Sequence, residues 1–193
     1  EKIIQNFLDF GFYNFFISIN YKSKIIKSFF EELKPNYNVS YVEENKPMGT
    51  IGSINLVKKK IKNDFIVCNC DTLINENFSE ILQFHKKSDN LVTLVATSKH
   101  ISIPYGVCEV DDNGNLIKIN EKPKKNYLIN IGLYVFKKEI FKHVNQNKKI
   151  NITDLLNTLK SKNLKVGVYP SVKAEWYDVG QWENYNFTKN KIE

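Results

Sequence analysis

Apolar positions along this chain switch between two periods, and the switches mark its elements. Ile3, Ile4, Phe7 and Leu8 fall on one face of a helix, with Gly11 placed to end it. Phe15-Phe16-Ile17-Ser18-Ile19 reads as a buried strand. Ser23 is placed to cap a second helix carrying Ile25, Ile26, Phe29, Phe30 and Leu33, which Pro35 stops. A short strand follows at residues 39–42, and after Gly49 a helix in which Ile51, Ile54 and Val57 step along one face. An apolar strand then runs over residues 65–73 and meets an acidic residue at Asp71, ahead of a helix around residues 78–84 and a strand at 91–97.

From there the order changes. Residues 106–110 and 116–119 flank Asp111-Asp112-Asn113-Gly114, a clear hairpin turn. A strand at 128–136, helices near 138–144 and 152–159, a strand at 164–169 and a terminal helix from about Gln181 complete the pattern. Strand and helix alternation of this kind predicts an α/β fold. The arrangement is Rossmann-like, with three α/β/α layers, a mostly parallel sheet and an inserted β-hairpin. No linker, repeat or low-complexity stretch interrupts it, so residues 1–193 read as one domain.

Composition narrows the function. At 42% hydrophobic and 13% aromatic the chain has ample material for a core. No apolar run is long enough for a transmembrane helix and nothing resembles a signal peptide, so a cytoplasmic protein without membrane contact is expected. The net charge of +7 comes entirely from dispersed lysine; no arginine occurs, which removes the bidentate fork of most phosphate and guanine readers. A nucleic-acid partner is therefore not expected. Cys68, Cys70 and Cys108 have no framework or zinc spacing and read as buried or neutral thiols of a reducing compartment. Glu1 opens directly onto an amphipathic pattern, which suggests a piece of a longer protein.

Chemistry concentrates at strand ends. Ligands of α/β sheets bind beyond the carboxyl ends of strands, where Asp71 stands, and Trp176-Tyr177-Asp178-Val179-Gly180 repeats the pattern. Two such carboxylates suit a hard divalent cation held against phosphate; the simpler alternative is that Asp71 caps the next helix. Gly49 and Gly52, around a helix start, allow close approach of a flat or anionic ligand.

Together these segments resemble the sugar-phosphate nucleotidyltransferases. Pro47-Met48-Gly49-Thr50-Ile51-Gly52 resembles their Pro-Leu-Gly-Thr-Ala-Gly, and Asn69-Cys70-Asp71 their Asn-Gly-Asp. Tyr105-Gly106-Val107, Glu121-Lys122-Pro123 and Asn130-Ile131-Gly132-Leu133-Tyr134 match, in order, blocks around and after their hairpin; the Asp178 block resembles their Trp-x-Asp-Ile-Gly, with Tyr185 fitting a tyrosine that often follows. The resemblance implies attack of a sugar 1-phosphate oxygen on the α-phosphorus of a nucleoside triphosphate, giving a nucleotide-sugar and pyrophosphate. It implies Mg²⁺ held by Asp71 and Asp178, Lys122 near the sugar phosphate, Pro47, Gly49 and Thr50 at the nucleotide, and Gly106, Glu121 and Asn130 on sugar hydroxyls. Guanylyl or thymidylyl transfer is implied, with a lean to guanylyl from the Pro-Met-Gly-Thr segment, for surface glycan precursors. On the residues alone, Glu121 and Lys122 could equally be an exposed charged pair, and Asn130 could satisfy a strand-end carbonyl.

The family's Gly-x-Gly-x-Arg-Leu loop and its preceding strand are absent. The resemblance therefore implies a sheet lacking its first strand, completed by a missing N-terminal segment or an oligomeric partner, and a chain that alone does not turn over a triphosphate. Cys70, where the family has glycine, narrows the room for a nucleotide. The competing reading is a non-catalytic relative that binds nucleotide-sugars but has lost triphosphate chemistry.

Overall fold

The computed structural model describes residues 1–145 and 148–171, with the backbone of residues 175–178. Helix α1 (Lys2–Leu8) leads into strand β1 (Asn14–Ile19), helix α2 (Ser23–Leu33) and strand β2 (Asn38–Glu43), which pairs parallel to β1. Helix α3 (Ile54–Val57) precedes β3 (Phe65–Cys68) and β4 (Thr72–Asn75); helix α4 (Phe78–Lys87) and the long β5 (Val92–Ser102) follow. β6 (Val107–Val110) and β7 (Leu116–Asn120) form the hairpin, β8 (Lys124–Phe136) returns, and α5 (Ile152–Ser161), β9 (Val166–Ser171) and β10 (Glu175–Asp178) close the chain.

The central sheet has the order β3-β8-β5-β9, with β8 antiparallel to both neighbours and β5 parallel to β9. Three of its strands thus share one direction, and β1–β2 adds a parallel pair, as the sequence predicted. Side chains of a strand alternate between faces, and here each face has its own helical layer. Phe65, Val67, Tyr134 and Phe136 pack with Ile140, Leu155 and Leu159 on the α5 side. Ile66, Cys68, Leu133 and Val135 pack with Phe7, Phe78 and Ile81 under α1 and α4. That is the three-layer arrangement.

The hairpin turn also follows the sequence. Asp111 Oδ1 accepts the N–H groups of Asn113 and Asn115, and Gly114 takes φ +83°. Other expectations need correction. Ser23 is the first residue of α2 rather than its cap, and no side chain caps that helix. α2 ends on Lys34 in the left-handed region, one residue before Pro35. The strand predicted over 65–73 breaks at Cys68; residues 69–71 turn and β4 begins. Cys70 and Cys108 are exposed, and only Cys68 is partly covered. The predicted terminal helix and Tyr185 lie outside the described residues.

Among the described residues, β1 and β3 each keep one edge unpaired. Phe15 from β1 and Ile66 from β3 nevertheless pack into the same apolar cluster.

Candidate active site at the rim of the sheet

The turn at Asn69–Asp71 is built from the end of β3 against a bulge in β8. β5 advances two residues, Leu94 to Ala96, while β8 passes from Tyr134 to Asn130, so β8 carries extra residues there. Gly132 sits in that bulge with φ +79°, and a Cβ on it would lie 2.6 Å from the Asn69 side chain. The freed Gly132 carbonyl accepts the Asn69 N–H at 2.9 Å, which holds the turn in place. Asn130 fixes the bulge from the other side: its Oδ1 accepts the Gly132 N–H at 3.0 Å and its Nδ2 donates to the Tyr134 hydroxyl at 2.6 Å. Asn130 thus satisfies a backbone N–H, not the strand-end carbonyl considered from sequence.

Asp71 follows on the exposed side of this turn. It caps no helix; α4 is capped by Asn77, whose Oδ1 accepts from Ser79 and Glu80 N–H. Among the described residues, the Asp71 carboxylate receives a long bond from the Thr72 hydroxyl, 3.3 Å. Ion pairs among the described residues are Lys27–Glu43 and Lys137–Asp89, so none of them involves Asp71. β10 then lies antiparallel on β4 with Asp178 directly across from Thr72. Opposed Cα atoms in such a ladder are about 5 Å apart, so the backbone brings the second aspartate beside the first across a sequence separation of more than a hundred residues.

These positions suit Mg²⁺. A hard dication takes oxygen ligands and commonly rests on one or two carboxylates while substrate phosphates complete its shell. Asp71 offers an exposed carboxyl group that forms no ion pair among the described residues. Burial first, then the neighbouring Cys70 and Asp71, push the Cys68 thiol up to about 12, which disfavours a thiolate there.

Pro47, Gly49 and Thr50 lie in the loop after β2, and the fold itself uses two of them. Gly49 has φ +80°, and a Cβ there would meet the Ile150 carbonyl oxygen at 2.5 Å. Ile51 N–H donates to that same oxygen, and Ile150 N–H donates to Met48 O, zipping the loop to the start of α5. The Thr50 hydroxyl accepts the Ile152 N–H at 2.8 Å, supplying α5 with a cap. Sequence reasoning missed Glu44, whose Oε2 accepts the Met48 N–H at 2.9 Å and closes the other end of the loop. An acid four residues before Met48 at a strand end was the available signal.

Gly106, Glu121 and Lys122 lie together at the base of the hairpin. A Cβ on Gly106 would sit 3.1 Å from Glu121 Oε2, and Lys122, at φ 44°, donates its N–H to Tyr105 O. Along the chain, the first part of β8 separates this group from Asn130. β8 is regularly paired from Lys124 to Ile129, and at about 3.3 Å per residue Lys122 is up to roughly 25 Å from Asn130 along the strand.

Known proteins place the arrangement. HddC from Yersinia pseudotuberculosis, crystallised with GMP-PN, superposes with a TM-score of 0.76 at 23% identity, covering 100% of this chain and 84% of that one. The mannose-1-phosphate guanyltransferase 2 of Candida glabrata is 28% identical over 94% of this chain and 52% of its own. The D-glycero-alpha-D-manno-heptose 1-phosphate guanylyltransferase of Campylobacter jejuni is 29% identical over 81% of this chain and 69% of its own. This chain spans about half the length of several curated relatives it matches. The nucleotidyl transferase family profile matches residues 1–193. With the ordered blocks and the three-layer sheet, that match settles membership: the chain belongs to the nucleotidyl transferase family.

Proposed function

We propose that this protein catalyses guanylyl transfer from GTP to a sugar 1-phosphate. A sugar phosphate oxygen attacks the α-phosphorus, the α–β phosphoanhydride bond breaks, and pyrophosphate leaves. No enzyme nucleophile is required, so the protein's task is alignment and charge neutralisation. The match to the nucleotidyl transferase family over residues 1–193 carries this reading, and the β4–β10 register sets Asp178 across from Thr72, the residue after Asp71. In this reading the two carboxylates hold Mg²⁺, which when bound offsets phosphate charge between the reacting groups. Asn69 and Asn130 fix the turn that presents Asp71.

Gly49 and Thr50 bring loop backbone and hydroxyl to the base, with Pro47 shaping the entry. Lys122 would meet the sugar phosphate and Gly106, Glu121 and Asn130 the sugar hydroxyls, which requires the hairpin to fold back towards the β8 bulge. The guanylyl preference rests on the names of the mannose- and heptose-phosphate relatives. The product would feed glycan assembly from the cytoplasm. No helix among the described residues is long and apolar enough to cross a membrane.

The edges of β1 and β3, unpaired among the described residues, favour a second reading, binding without turnover, unless an additional strand completes the sheet. Two measurements decide. Pyrophosphate release from GTP with mannose or heptose 1-phosphate and Mg²⁺ supports transfer, and its absence together with tight calorimetric binding of GDP-mannose supports the non-catalytic reading. Absence of both overturns the proposed site.

A further inference from the structure

The lysines that lie scattered along the sequence are sorted by the fold. Phe65, Phe136, Val92 and Val166 stand side by side across β3-β8-β5-β9 and mark one end of the central sheet. Chain segments meet the sheet there: residues 58–64 ahead of β3, 137–142 after β8, 86–91 at the junction of α4 and β5, and 160–165 at the junction of α5 and β9. Hydrogen bonds stitch these segments together. Lys137 N–H donates to Leu91 O at 2.9 Å, Leu91 N–H to Lys165 O at 2.8 Å, and Lys138 N–H to Asp64 Oδ1 at 3.4 Å. Lysine outnumbers acid four to one in the set. The first segment alone carries Lys58, Lys59, Lys60 and Lys62, whereas the acids are Asp64, Asp89 and Glu139, of which Asp89 is paired with Lys137. Apart from the half-buried Lys137, every lysine of the set is exposed.

We infer that this end of the sheet is a docking face for a membrane surface rich in anionic phospholipid. Because the segments emerge at one level of the sheet, their lysines reach a plane together, and a fluid array of lipid phosphates can adjust to the spacing the fold imposes. A nucleic acid fits less well. The chain has no arginine, and Phe141, the one aromatic residue in these segments, is buried, so neither bidentate phosphate contacts nor base stacking is available. A contact made by charge needs no apolar span, so the absence of one from the sequence does not oppose it. The Asp71 rim, beyond the other end of β3, stays open to solvent in such a contact.

Cosedimentation with vesicles of phosphatidylcholine, with and without phosphatidylglycerol, tests this. The protein is expected to bind only the anionic vesicles and to come off as salt rises. Lys59→Gln, Lys62→Gln, Lys86→Gln and Lys87→Gln in one chain should weaken binding at least about a hundredfold, at roughly fivefold per charge near an anionic surface, with the melting temperature kept. The control removes the same charge from the two-stranded ribbon that β6–β7 and the outer halves of β5 and β8 form beyond the other end of the sheet. Lys99→Gln, Lys118→Gln, Lys124→Gln and Lys125→Gln together should bind vesicles almost as the wild type does. Equal binding to phosphatidylcholine alone, no binding at low salt, equal losses in the two variants, or a duplex oligonucleotide held more tightly than vesicles at equal phosphate would overturn the inference.

Discussion

Asp71 was identifiable from sequence because it is a carboxylate at the end of an apolar run, and its surroundings give it a test. It is exposed, it supports no helix, and its bond to Thr72 is long. Asp71→Asn should therefore leave the fold and melting temperature unchanged while lowering guanylyl transfer at least about a hundredfold. An equal loss of stability would assign it a structural role. His85 was given no role by sequence. It is fully buried, with Nδ1 against the Thr93 hydroxyl at 2.7 Å, Asn90 donating to the same hydroxyl, and Nε2 without a partner. Burial holds its pKa below the ordinary value, outweighing the opposing field of Asp64. The unfolded chain therefore takes up a proton more readily. This contribution to stability is complete above about pH 6.5 and declines as pH falls through that unfolded value towards the lower folded one. Melting temperature should fall on acidification below pH 6.5, and His85→Gln should flatten that fall even though it lowers the plateau. An unchanged acid limb in the variant would refute the assignment.

At the scale of elements, the sequence disclosed the parts but not their couplings. The hairpin was legible because Asp-Asp-Asn-Gly has turn chemistry that depends on no distant residue. β4 was not, since Thr72–Asn75 is too short to show a period and is a strand only because β10 pairs with it. The same holds for the outer halves of β5 and β8, whose polar stretches give no apolar alternation but are fixed by their mutual ladder. The Pro47–Gly52 loop shows a third case, in which the motif was visible but its debt to the fold was not. Gly49→Ala forces a Cβ against Ile150 O at a positive φ and should cost about 1–3 kcal/mol in a denaturant melt without nucleotide present. Thr50→Val removes the cap of α5 and should cost about 0.5–2 kcal/mol, with Thr50→Ser close to wild type. If both variants melt like wild type yet lose nucleotide affinity, the loop's role is ligand binding alone.

For the molecule as a whole, the account asks two separated regions to serve one reaction. Glu121 and Lys122 lie on the ribbon, and Asp71 lies at the β8 bulge. If the ribbon folds back over bound sugar phosphate, Glu121→Gln should raise the KM for sugar 1-phosphate with little change in the KM for GTP. Unchanged kinetics would exclude the ribbon from sugar binding. The open edges of β1 and β3 set a further condition, because a strand inserted there would bring the β1–β2 pair into the main sheet. The central claim is that Asp71 and Asp178 share one cation, and Mn²⁺ binding followed by electron paramagnetic resonance in the presence of GDP-mannose tests it most directly. The account predicts a single site that Asp71→Asn and Asp178→Asn each weaken about tenfold or more, with the double variant scarcely worse than either. Wild-type affinity in either single variant, or two losses that simply add, would contradict it.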